Sequence, residues 1–210
     1  PGMSIGHRLG TAGTVACLVR RQGEVFIASN NHVLALLNEA KLGDLILQPG
    51  PSDGGTLEDA VGRLAEFVPL HFLDETPTEV DSRPGQPRRT GLFGWLAGLF
   101  GGGPSFGTKS GHPEPTVTLP TNTVDAAIAS PLDDILFSAN IVDVDGAPLG
   151  VTSPRLGLRV MKSGRSSGIT EGLIIQTNVT VDVAYEGHPA RFVEQLMVAP
   201  LDFIQGSAFS

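Results

Sequence analysis

Two runs of strand length, 11–20 and 24–29, are joined by only Arg21-Gln22-Gly23. Apolar runs this short, with a glycine in the connection, predict a β-hairpin. The chain then reads Ser29-Asn30-Asn31-His32-Val33-Leu34-Ala35, and 33–38 has room for about one helical turn. The same rhythm continues downstream. Residues 43–48 read as a strand, Pro49-Gly50-Pro51-Ser52-Asp53-Gly54-Gly55 as a turn-rich loop, and 60–70 and 124–130 as further strands. With 27 glycines and 16 prolines in 210 residues, about a fifth of the chain consists of turn formers, against an average of about an eighth. The expected fold is therefore all-β, a barrel or sandwich rather than a helical protein.

After Asp143 a second set of strands begins. It comprises 155–162, a turn at 163–168, a long or bent strand (or strand pair) at 172–185, and 191–199. Two groups divided near 140–150 predict two β-barrels, the first over 1–142 and the second over 143–210. The second group has too few strands to close a barrel alone and reads as truncated. Residues 74–115 break the pattern. No acid lies between Asp81 and Glu114, where Arg83, Arg88, Arg89 and Lys109 are basic, and the apolar residues gather at 91–103. The expectation is a flexible surface insertion. The sharper alternative is docking through 91–103 onto a membrane surface, a partner groove or the protein's own cleft.

Charge and composition narrow the classes. The net charge is −8 and no Lys/Arg block stands out, which argues against a nucleic-acid partner. The longest apolar run, 91–100, is about half the length of a bilayer span, and no secretory signal is visible. Cys17 is the sole cysteine, so no intrachain disulfide forms; that is compatible with the cytoplasm and equally with a disulfide-free secreted protein. His7, His71, His112 and His188 are scattered without ligand spacing, so neither a zinc site nor any other cofactor is expected. Asp53, Asp59, Asp143 and Asp145 lie in or beside loops, where their spacing favours calcium no more than solvent. Ser163-Gly164-Arg165-Ser166-Ser167-Gly168 lacks the spacer and ending of a phosphate loop and reads as a turn.

His32 is followed, 93 residues on, by Asp125 in Val124-Asp125-Ala126-Ala127-Ile128-Ala129. A serine hydroxyl becomes a nucleophile when an imidazole takes its proton, and that imidazole needs a carboxylate to fix its tautomer. His32 is the candidate base and Asp125 the candidate orienting group. The bland reading is a capping histidine and a turn-capping aspartate. In the protease form of this arrangement His and Asp lie about 45 residues apart, and Asp and Ser about 93. Removing the insertion brings the first gap near that value, and adding roughly 90 residues to Asp125 places the serine at about position 215.

These stretches resemble the trypsin/chymotrypsin-like serine peptidases, and among them bacterial members with few cysteines. The likeness runs through Ser4-Ile5-Gly6-His7, Thr11-Ala12-Gly13-Thr14-Val15, the histidine run, Gly43-Asp44, Gln48-Pro49-Gly50-Pro51 and Val124-Asp125-Ala126-Ala127-Ile128. It continues through Val160-Met161-Lys162-Ser163-Gly164-Arg165-Ser166-Ser167-Gly168 to Ala208-Phe209-Ser210, covering nearly all the chain except 74–115. The resemblance implies a two-barrel chymotrypsin-like fold and peptide-bond hydrolysis through an acyl-enzyme. His32 would act as general base and then acid, with Asp125 orienting it. In such peptidases a Phe-Ser pair commonly leads into Gly-Asp-Ser-Gly, which this sequence lacks. The expected nucleophile therefore lies beyond Ser210, in a polypeptide of which this chain is a fragment or the first half after self-processing. Ser207 is a weak rival, because it follows Gly206 but has no glycine two residues later, and Ser210 is weaker still. Implied partners are a protein or peptide substrate and the chain's own C-terminal segment, completing the second barrel. Alone, these residues are expected to be inactive. The alternative is a non-catalytic binding or scaffolding module of the same fold.

Overall fold

Arg21 and Glu24 face each other across a two-residue turn whose members, Gln22 and Gly23, both have positive φ (54° and 91°). This is the primed turn whose twist matches that of the flanking strands. The computed structural model describes residues 1–75, 119–132, 137–144 and 146–201. The sequence expectations for most of 74–115, including 91–103 and His112, and those for Asp145, Ser207 and Ser210, fall outside the described residues.

In chain order the described elements are β1 (Ser4–His7), β2 (Gly13–Thr14), β3 (Cys17–Arg21), β4 (Glu24–Ser29), the one-turn helix α1 (Asn31–Leu34), β5 (Leu45–Leu47), β6 (Ala60–Phe67), β7 (Ala127–Pro131), β8 (Arg159–Gly164), β9 (Gly168–Tyr185) and β10 (His188–Pro200). Short 3₁₀ turns occupy Leu36–Asn38, Pro51–Asp53 and Leu57–Asp59. The protein is all-β. The first seven strands form one antiparallel sheet in the order β2-β1-β5-β6-β7-β4-β3, and the last three a second sheet in the order β10-β9-β8.

The run 11–20, expected as one strand, is two. Between β2 and β3, Val15 N–H donates to Met3 O at 2.9 Å and Ala16 N–H donates to Ala28 O at 2.9 Å. One bent segment thus pairs with β1 on one side and β4 on the other, so the two ends of the sheet approach each other in a barrel-like curl. The bend satisfies edge groups that a straight strand would leave open. Two other boundaries move. The strand after Asp125 starts only at Ala127, and 155–162 becomes β8, shifted toward the C-terminus. Residues 172–185 prove to be part of a single 18-residue strand.

The curl encloses Ile5, Val15, Ile27, Val33, Leu34, Ile46, Leu64, Ala127 and Ala129. Each large aliphatic side chain taken fully from water there stabilises the fold by about 1.5–3 kcal/mol. A second, smaller cluster of Leu70, Phe72, Ala190 and Phe192, with Leu37, Val183 and Tyr185 beside it, joins the segment after β6 to the β9–β10 hairpin. Both sheets belong to the unit formed by Pro1–Asp74 and Pro120–Ser210.

Candidate functional site

Asn30, in extended conformation (φ −83°, ψ 155°), ends the first hairpin and opens α1. Three of the four α1 residues, Asn31, Val33 and Leu34, are buried, which leaves His32 alone to face outward. Asn31 is the anchor. Its Nδ2 donates to Asn38 Oδ1 and to Val68 O, both at 2.8 Å, and its Oδ1 accepts from Asn38 N–H at 3.2 Å. Asn38, held at φ 83°, in turn donates from Nδ2 to Leu70 O at 2.8 Å and accepts from Leu70 N–H at 2.9 Å. A buried amide with every group paired fixes the turn more firmly than apolar contact alone, since any slip leaves polar groups stranded.

Asp125 arrives from the neighbouring strand. Because Ser29 pairs with Ala127, the two residues preceding β7 run beside Asn30 and His32. Asn30 Nδ2 donates to Asp125 O at 2.9 Å and fixes that approach. The carboxylate is then gripped by its target: Oδ2 lies 2.5 Å from His32 Nδ1, and Oδ1 accepts from His32 N–H at 3.3 Å. The Asp125 side chain is only 9% exposed, while that of His32 is 42% exposed.

A third donor comes from the second sheet. Tyr185, the last residue of β9, donates its hydroxyl to Asp125 Oδ2 at 3.0 Å, and its ring lies 5.6 Å from that of His32. Burial alone would push the Asp125 carboxyl up. The hydrogen bond from His32, the His32 charge, the Tyr185 hydroxyl and the His32 amide outweigh it, and the group ends below the usual carboxylate range. Burial and the adjacent Asp125 charge hold the Tyr185 hydroxyl well above the ordinary phenol value. An ionised carboxylate only accepts, so the hydrogen on the short bond belongs to His32 Nδ1. In the neutral ring Nε2 is then the basic nitrogen, on the side chain's open edge. Such a pair can accept a proton at Nε2 and stabilise the cation so formed.

The structure thus brings together the two residues singled out in the sequence. Among the described residues, every hydrogen bond of the His32 side chain goes to Asp125. Tyr185, Asn30 and Asn31 went unnoticed in the sequence. Tyr185 is the only tyrosine in the chain, but nothing local in β9 links it to a position 60 residues earlier.

The other candidates have separate partners. His7 is fully buried, accepting from Leu9 N–H at Nδ1 and facing Asp44 at 3.2 Å through Nε2. His71 hydrogen-bonds through its backbone to Asn122, and His188 pairs with Asp74 at 2.7 Å. Asp53 receives a two-pronged contact from Arg165 (2.7 and 3.1 Å), and Asp59 closes a capping box with Thr56. Asp143 sits at a positive φ of 60°. Among the described residues no three His, Cys, Asp or Glu side chains group as a metal site. Within 163–168, Ser163 and Gly164 end β8, Gly168 opens β9, and 165–167 form the turn between them. Comparison with protein-family models and with curated proteins gives no match.

Proposed function

We propose that this chain carries the general base and its orienting carboxylate of a serine endopeptidase with a two-barrel chymotrypsin-like fold, the second barrel being incomplete within 143–210. The observation that carries the reading is the His32 Nδ1–Asp125 Oδ2 contact of 2.5 Å, with a buried carboxylate and a histidine edge open to solvent. Their order in the chain and their place on a curled all-β sheet support it further.

In this reading the serine Oγ attacks the scissile carbonyl as His32 Nε2 takes its proton. Asp125 keeps Nδ1 protonated and balances the imidazolium, which then protonates the leaving amine. Water hydrolyses the acyl-enzyme by the reverse proton route. The serine and the backbone N–H groups that stabilise the oxyanion come from the segment following Ser210, with Ser207 the weak rival within the chain.

The test is intact mass spectrometry of the full-length protein after treatment with a fluorophosphonate. A single adduct is expected, lost in His32→Ala, and two chain masses dividing near residue 210 would reveal self-processing. A well-folded protein that takes no adduct would overturn the peptidase reading in favour of a binding module.

A further inference from the structure

We propose that Tyr185 is a positioning residue: its hydroxyl holds the Asp125 carboxylate in register with His32, so that the second sheet sets the geometry of a pair built on the first. The catalytic meaning of this role rests on the peptidase reading; the contact itself does not.

Of the three donors on the Asp125 carboxylate among the described residues, two belong to His32 itself, the Nδ1–H and the backbone N–H. Those two tie the carboxylate to His32 and the α1 turn, and neither links the pair to the second sheet. Asp125 also lies outside β7, two residues before its first paired position, and the Asn30 bond holds its backbone carbonyl, not its side chain. The Tyr185 hydroxyl is the donor to that carboxylate from a distant element.

Tyr185 is built to stay put. It closes β9 directly before the tight Glu186-Gly187 turn, pairs with His188 in the ladder, and sets its ring against Phe72 (6.4 Å, 79°) and Phe192 (6.3 Å, 51°). Burial and the Asp125 charge keep its proton on at every pH where a histidine works as a base. The hydroxyl is thus a permanent donor on a rigid ring, a better fastener than a mobile serine or water. It shares Oδ2 with His32 Nδ1, so the two donors fix the same carboxylate oxygen.

Tyr185→Phe keeps the ring and removes only this bond, so packing is retained. Three readings decide the matter. The difference in alkaline absorbance titration between wild type and Tyr185→Phe isolates this phenol; it is expected to ionise well above the ordinary value of about 10, and lower when Asp125→Asn is introduced. The downfield proton resonance of the His32 Nδ1–H to Asp125 bond is expected sharp in wild type and broadened or lost in folded Tyr185→Phe. In the full-length protein the fluorophosphonate is expected to label Tyr185→Phe about tenfold more slowly, the cost of one hydrogen bond to a charged acceptor. An ordinary phenol titration indifferent to Asp125, or an unchanged His32 resonance in Tyr185→Phe, overturns the positioning role. Labelling at the wild-type rate overturns it too. If wild type takes no label while the first two readings behave as expected, the contact and its positioning effect stand and the peptidase reading falls.

Discussion

Asp125 is a nearly buried carboxylate that keeps its charge, and its surroundings say how. Burial opposes ionisation, but donors from His32 and Tyr185 outweigh it, so the folded-state affinity for a proton falls below that of the unfolded chain. A group with a depressed folded value stabilises the fold above the ordinary carboxylate value of about 3.9, and that contribution disappears as pH falls through the lower folded value. Asp125→Asn removes it at every pH. Urea midpoints at pH 7 and at about pH 3 should therefore differ more for wild type than for Asp125→Asn, and equal losses in the two proteins would show that Asp125 is not held as described. At this scale the pair was legible in the sequence, because a lone histidine after a hairpin and an aspartate leading an apolar strand are local features. Tyr185 was not, since its relation to Asp125 exists only once β9 has crossed to the first sheet.

At the scale of elements, α1 holds His32 outward because β2 lies close beneath it. A Cβ at Gly13 would overlap both γ-methyls of Val33 and lie 3.2 Å from its Cβ. Gly13→Ala should consequently cost about 1–3 kcal/mol as the helix is pushed away, read as a lowered urea midpoint. Gly23→Ala is the control, since nothing lies within 4 Å of its added carbon and only the positive φ of 91° opposes it. About 1 kcal/mol is expected there. A Gly13→Ala cost no larger than that of Gly23→Ala would mean that the helix yields without resistance. Most strands followed from the sequence, whereas β1, the division of 11–20 and the strand ends did not. The break between β2 and β3 reflects two pairing partners on opposite sides, which no property of Val15 or Ala16 announces.

At the scale of the molecule, the two sheets meet along a seam of polar and apolar contacts. Asn122, almost fully buried, exchanges hydrogen bonds with the His71 backbone at 2.9 Å in each direction and donates to Arg191 O at 3.2 Å. Its own backbone bridges Arg191 and Val193. Leu73 N–H donates to Pro189 O at 2.7 Å beside the Phe72 and Phe192 rings, and Arg165 reaches Asp53 across the other end. Asn122→Ala removes the partners of the His71 N–H and O at a part-buried place, so a loss of about 1–2 kcal/mol is expected in urea unfolding. An unchanged midpoint would show that the seam does not depend on this residue. By itself the sequence determined the all-β class and a hairpin turning through Arg21-Gln22-Gly23, and it singled out His32 and Asp125 as candidates, because turn chemistry, strand period and short motifs are encoded within a few residues. Only the tertiary structure decided that the first sheet curls to meet itself, that Asn31 locks the helical turn, and that Tyr185 completes the grip on Asp125. Those depend on contacts between residues far apart in the chain, whose free energy appears only when folding has excluded water from between them.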